Sequence, residues 1–238
     1  FIKLKPTTIK RRDADIFFVI AESKNKKNIL AVNPIIKKSK CIFDIGSNCG
    51  YISKEIIDQG YEGDLVLFEP ISNLLSISIQ ILSHTNNNKI FVNAALGDKD
   101  TKLTLILPED NNIGWITAVK EKTVSKSEIK VNQEKTSKYI RKFYPDFCKI
   151  DVEGYEYFIL KEFNKLISNE YKPSFLVEIG FGNTNPYWKE FLDLVKDLFS
   201  KGYYFFDIKK DIVSLNFNDI ELLEDTTDII ITTYKLII

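Results

Sequence analysis

At 238 residues, with 44% hydrophobic and 13% aromatic side chains, the chain is long enough to bury one sizeable core and too apolar to be disordered. Lys plus Arg balance Asp plus Glu at 33 each, so no overall positive field argues for nucleic acid as a partner. No apolar run approaches the roughly 18 residues of a membrane span, the N-terminus shows no signal-peptide core, and Cys41, Cys49 and Cys148 have neither metal-ligand spacing nor the even count of a disulfide framework. A soluble protein of the reducing cytoplasm, with free thiols and without a transmembrane segment, is expected.

Residues 1–40 carry eleven Lys and Arg against three acids. They read as a basic extension packed on the domain: a solvated face, or one that meets an anionic surface such as a membrane leaflet holding a lipid-linked substrate. From residue 41 short apolar runs alternate with amphipathic stretches, the pattern of parallel strands joined by crossover helices. CIFDIG (41–46) is the first strand, and YISKEIIDQG (51–60) a helix with Ile52, Ile56 and Ile57 on one face and Gly60 at its end. DLVLFEP (64–70) is the second strand, followed by a helix over 72–83 and a third strand, IFVNAALG (90–97). KLTLILP (102–108) alternates like an additional, half-exposed strand.

Residues 109–146 are polar, Lys-rich and weakly periodic, ending in a predicted helix over 133–144. A connection of that length inside a compact domain is a candidate lid. FCKIDV (147–152) and SFLVEIG (174–180) are the fourth and fifth strands, with the helix YEYFILKEF (155–163) between them. In NPYWKEFLDLVKDLFSKG (185–202), the clearest helical pattern in the chain, Asn185 suits the cap and Pro186 the first turn. YYFFDI (203–208) and DIIITTYK (228–235) read as two final strands. Residues 41–238 thus form one α/β domain.

The turn DIGSNCG (44–50) leaves the first strand, where an open parallel sheet binds its ligand. Gly46 allows a sharp exit with no Cβ to obstruct a cofactor, and Gly50 allows close approach as the next helix begins. Glu69 closes the second strand about 20 residues beyond the turn, the place where such folds set an acid on a ribose diol. Together these features indicate a nucleoside cofactor. The glycine spacing is not the G-x-G-x-x-G of dinucleotide folds, and Asp44 would repel a pyrophosphate. S-adenosylmethionine, with its ammonium and sulfonium, suits that acid better than NAD does.

FDIGSNCGYIS, LFEP, NAALGD, NNIGW and above all KIDVEGYE, in this order between Cys41 and Glu156, resemble the successive motifs of the FkbM-type methyltransferases, with a looser continuation through FLVEIG. Ser47 and Cys49 depart mildly from the family pattern, and the first 40 residues and most of the lid are not covered. The resemblance implies a class I methyltransferase (Rossmann-like) fold with a mostly parallel seven-stranded sheet flanked by helices. It further implies S-adenosylmethionine as cofactor, and O-methylation of a sugar, glycoconjugate or related natural product. It would set Asp44, Gly46, Asn48 and Gly50 around the methionine part of the cofactor, Glu69 on the ribose, and Ala94 and Ala95 near the adenine, although plain packing also accounts for the alanines.

Transfer to an alcohol requires alignment and a group that takes the proton. The single histidine, His84, lies in a polar turn and reads as a surface residue. Asp151, Glu153 and Glu178, at the ends of the fourth and fifth strands, are the candidates, Asp151 first. Each also has a plainer reading: Asp151 as ligand of the cofactor's ammonium, Glu153 as a brace for the turn at Gly154, Glu178 as partner of a lid lysine. Carboxylates grouped in this way can hold a divalent cation, but no His or Cys reinforces a metal site and none is expected. Trp115, Phe181 and Tyr187 are the aromatic candidates for stacking on an acceptor, while Trp188 reads as helix core. A nucleoside-binding protein without catalysis is the alternative, and a nicotinamide oxidoreductase is third.

Overall fold

The computed structural model describes residues 27–108, 116–119, 125–208 and 211–236. The described chain opens in a helix that runs to residue 36 (α1). It continues through β1 (Cys41–Ile45), α2 (Tyr51–Asp58), β2 (Asp64–Phe68), α3 (Ser72–Ile81), β3 (Lys89–Val92), β4 (Ala95–Gly97), β5 (Thr101–Pro108) and β6 (Ser125–Lys135). After α4 (Thr136–Phe143) and β7 (Phe147–Ile150) come α5 (Glu156–Asn164), β8 (Ser174–Ile179), α6 (Trp188–Ser200), β9 (Tyr204–Asp207), β10 (Val213–Leu215), α7 (Phe217–Glu221) and β11 (Thr227–Thr232).

The main sheet has eight strands in the order β10-β9-β11-β8-β7-β1-β2-β3. β3, β2, β1, β7 and β8 are mutually parallel, whereas β11 runs antiparallel to both β8 and β9, and β10 antiparallel to β9. The α/β architecture is as expected and most strand pairs are parallel, but the sheet is mixed and has eight strands rather than seven. The chain reverses in the β9–β10 hairpin and returns over α7, so β11 enters between β8 and β9 from the opposite direction. β10 is a three-residue edge strand, too short to carry an alternation.

IFVNAALG is two strands, not one. At the break the Asn93 side-chain amide donates to the carbonyls of Glu69 (2.9 Å) and Pro70 (3.0 Å), and the chain leaves the main sheet there. β4 pairs parallel with β6 and β5 antiparallel with β6 in a separate three-stranded sheet. Much of the polar stretch read as a lid is therefore regular: β6 is eleven residues long and leads directly into α4. Its inward side carries Ile129, Val131 and Gln133, and the buried glutamine obscures the period.

Successive strand residues face opposite sides of the sheet. Phe43, Ile45, Val66, Cys148, Ile150 and Val177 pack beneath α4, α5 and α6. Ile42, Leu65, Phe147, Leu176 and Ile230 pack beneath α1 and α2. The last residues of the supposed basic extension are thus part of the core: Ile29, Val32 and Ile36 of α1 are fully buried, and residues 1–26 lie outside the described structure. α6 begins after Tyr187, not Asn185, although the Asn185 side-chain oxygen accepts from the Tyr187 backbone amide (2.9 Å) in the turn that precedes it. Among the described residues no helix is long and apolar enough to cross a membrane.

The three cysteines are buried and unbridged. Cys148 of β7 stands in register with Phe43 of β1, two residues along from Cys41. Burial raises the Cys49 thiol to about 11 and, aided by Asp64 and Asp146, Cys41 to about 12. Folded protein should react slowly with a thiol reagent at pH 8, and unfolding without reductant should release three thiols; recovery of a single thiol would contradict this structure.

Candidate active site

The β1–α2 turn is shaped first by the protein's own packing. Gly46 has φ +74°, and a Cβ there would lie 1.9 Å from the Asp151 carbonyl oxygen; a Cβ on Gly50, at φ +81°, would lie 2.4 Å from the Ser78 hydroxyl. These glycines let β7 and α3 close on the turn, so the clearance at Gly46 belongs to the backbone of β7's exit rather than to a cofactor. Asn48 adopts φ +49° without being glycine. Its amide donates to Glu69 Oε2 (2.9 Å), and the Ile71 amide to Glu69 Oε1 (2.8 Å). Glu69 therefore ties the glycine turn to the end of β2. Burial pushes its carboxyl up to about 7 despite these two amide donors and nearby Lys149.

The floor beside this turn is organised by a lysine in the middle of the sheet. Lys149 of β7 stands in register with Asp44 of β1, and its ammonium is enclosed. It donates to the Gly46 carbonyl (2.7 Å) and lies 3.3 Å from Asp151 Oδ2 and 3.6 Å from Asp44 Oδ1. Burial opposes its charge, but Asp151 and Asp44 outweigh burial and hold it above its ordinary pKa. Asp44 is fully buried and accepts from the Ser53 hydroxyl at 2.7 Å. It stands behind the cavity wall, where its charge faces Lys149.

A cavity of about 380 Å³, within the range of small-molecule sites, runs along the strand ends over this floor. One end holds Gly46, Asn48, Glu69, Ala94 and Ala95; Lys149, Asp151, Glu153 and Glu178 line it further along. Leu103, Leu105, Ile116 and Ala118, from β5 and the strap beside it, supply an apolar roof. Asp151, Glu153 and Glu178 each offer a carboxylate oxygen within 4.8 Å of the others, a spacing that also suits an oxygen-ligated divalent cation.

Glu153 is held in a left-handed conformation, φ +53°. The Thr117 hydroxyl donates to its carbonyl at 2.5 Å from the strap side, and the Glu156 carboxylate accepts from the amides of Val152 (3.2 Å) and Gly154 (3.0 Å) from below. Burial, reinforced by Asp151 and Glu178, raises the Glu153 carboxyl to about 9. Burial likewise raises Glu156 to about 7 against its amide donors.

The aromatic candidates do not gather at the cavity. Phe181 covers Gly154, whose Cβ would meet its ring at 2.6 Å. Tyr187 meets the edge of Phe158 (4.7 Å), which stacks on Tyr155 (4.3 Å), and of these rings only Tyr155 lines the cavity. Trp188 packs on Phe191 in the core, and Trp115 lies outside the described residues. Asn185 is engaged in donating to the carbonyls of Gly154 (2.9 Å) and Gly180 (3.1 Å). Sequence reasoning overlooked Lys149, although a lysine inside a central parallel strand, where an unbroken apolar run is the rule, is itself a signal. Asn28, Tyr155 and Asp228 also line the cavity and carry no comparable mark.

The methyltransferase FkbM domain matches residues 44–205, more than half of the chain. No curated protein matches it. Similar solved structures include precorrin-6y C5,15-methyltransferase from Geobacter metallireducens (11% identity, 98% of this chain and 94% of that one, TM-score 0.45). Another is fibrillarin from Aeropyrum pernix with natively bound S-adenosyl-L-methionine (10%, 87% and 76%, 0.45), and a third is an S-adenosylmethionine-dependent O-methyltransferase from Thermotoga maritima (10%, 95% and 66%, 0.42).

Replacing Lys149 by Met leaves Asp44 buried without its counter-charge and should cost about 3–5 kcal/mol in urea unfolding. Adding Asp44→Asn should return a substantial part of that loss; a single variant within about 1 kcal/mol of the parent would contradict the brace. Because Glu69, Glu153 and Glu156 have folded pKa values above the 4.5 of a free glutamate, each favours folding most below that pH, and the contribution is lost as pH rises through the folded value. Unfolding free energy should therefore fall between pH 4.5 and about 9. Glu153→Gln should flatten the part between about 7 and 9; an unchanged profile in that variant would remove Glu153 as its source.

Proposed function

This chain belongs to the FkbM methyltransferase family, and from that premise we propose that it transfers the methyl group of S-adenosylmethionine to a hydroxyl oxygen of a sugar, glycoconjugate or related natural product. The observation that carries this reading is the single cavity joining Glu69 and the glycine turn to the carboxylates of Asp151, Glu153 and Glu178. The residues present suit such a donor. Glu69 retains acceptor capacity for a ribose diol beyond its two amide bonds, and the hydroxyl of Ser47, buried in the cavity wall, has no partner among the described residues. Ala94 and Ala95 leave space near Glu69 for a flat base. A bound S-adenosylmethionine would supply an electrophilic methyl carbon, so the protein's share is alignment, exclusion of water and removal of one proton.

We assign the proton to Glu153. A carboxylate with an ordinary pKa is a poor match for an alcohol, whereas one raised to about 9 is closer to what proton abstraction requires. Asp151 is already engaged by the Lys149 ammonium at 3.3 Å. The apolar roof formed by Leu103, Leu105, Ile116 and Ala118 keeps water from the reacting atoms.

The test is transfer of labelled methyl from S-adenosylmethionine to a panel of hydroxylated acceptors, followed by pH profiles on any acceptor found. kcat/KM for S-adenosylmethionine, which reports the free enzyme, should rise with pH toward about 9. Glu153→Gln should remove that limb and lower the rate by roughly 10² to 10⁴ with donor affinity retained. Donor binding without turnover on any acceptor would favour a binding protein. Loss of activity on EDTA treatment, restored by Mg²⁺, would replace the general base with a cation held by the three carboxylates.

A further inference from the structure

The cavity continues beyond the strand ends that the family domain spans. β8 and β11 pair antiparallel with Glu178 opposite Asp228 and Leu176 opposite Ile230. Leu176 and Ile230 both pack in the core beneath α1. Glu178 and Asp228 lie two residues further along their strands, so by strand alternation they project on that same face, where the sheet ends. Both line the cavity. Asn28 of α1 lines it too and is only 7% exposed, next to Ile29, which packs in the same core. Its buried side-chain amide and the Ser47 hydroxyl, which has no partner among the described residues, are hydrogen-bonding groups in a lining that also holds Lys149 and the acids Glu178 and Asp228. With Glu69 marking the ribose end of the cavity, an extended donor molecule would direct its other end here.

We infer that Asn28 and Asp228, both outside the matched residues 44–205, complete a receptor for the α-amino acid group of the donor. Asp228 and Glu178 face its ammonium, and the Asn28 amide and Ser47 hydroxyl donate to its carboxylate. The pairing follows the chemistry of the groups: carboxylates accept from an ammonium, while an amide N–H and a hydroxyl donate to a carboxylate. It also separates the carboxylates by task, with the acids beneath α1 serving the donor and Glu153, held from the strap by Thr117, serving the acceptor. This inference rests on S-adenosylmethionine being the donor.

The experiment compares calorimetric affinities for S-adenosylhomocysteine, which keeps the amino acid group, and 5′-methylthioadenosine, which lacks it. Intact protein should prefer the former at least tenfold. Asp228→Asn and Asn28→Ala should each weaken S-adenosylhomocysteine binding about tenfold to a hundredfold, the scale of a hydrogen bond to a charged group, and leave methylthioadenosine within about twofold. Equal losses for both ligands would make these residues merely structural and overturn the inference, as would unchanged affinity for both in the variants. Failure of the unaltered protein to bind either ligand would instead remove the donor assignment itself.

Discussion

The enclosed ammonium of Lys149 is the constraint on which the rest of the site depends. It stands where two parallel strands end, in contact with the Gly46 carbonyl and between the carboxylates of Asp44 and Asp151. Its charge compensates the two carboxylates it touches, one of them fully buried, whose burial would otherwise lack a counter-charge. The lysine thereby fixes the glycine turn, pairing with Asp44 behind the wall and with Asp151 at the cavity. The Glu153 carboxyl is raised by burial and by Asp151 and Glu178, which outweigh the opposing effect of Lys149. Divergent pKa values among neighbouring carboxyls are the condition for giving them different tasks.

The backbone reinforces this division. Glu69 spans from the glycine turn to the β2–α3 connection. Glu156 gathers the amides of the turn after β7, and Asn185 ties that turn to the end of β8. Each is a side chain engaged with main-chain groups that the turns would otherwise leave unpaired. The result is a floor tied together by hydrogen bonds, over which the second sheet and the strap at Thr117 set an apolar roof. Such a site holds a ligand chiefly by shape at the roof and by charge at the floor.

Sequence patterns carried the central architecture because strand alternation, glycine turns and the acid ending β2 are local signals. β1, β2, β7, β8 and the helices between them lie close to where the apolar runs place them. What escaped depends on long-range pairing: the antiparallel insertion of β11, the departure of β4 at Asn93, and the regular structure of β6, whose inward face includes a buried glutamine. In the site, Asp44, Glu69 and the strand-end carboxylates were legible as residues but not as partners. Nothing local reveals that Asp44 faces Lys149 rather than a ligand, because that follows from the β1–β7 register. Phe181 and Tyr187 suited a substrate by residue type, yet Phe181 is taken up by Gly154 and Tyr187 by Phe158. Asn28 and Asp228 enter through the face on which α1 and β11 pack, which no motif encodes.

The central claim is that these carboxylates face a positively charged donor, with Glu153 protonated until that donor arrives. Its most direct test is calorimetric titration of S-adenosylmethionine at pH 7 in buffers of different ionisation enthalpy. The account predicts binding accompanied by release of protons from the protein, because an incoming sulfonium and ammonium lower carboxyl pKa values that burial has raised. Binding with no proton release, or with proton uptake, would contradict it.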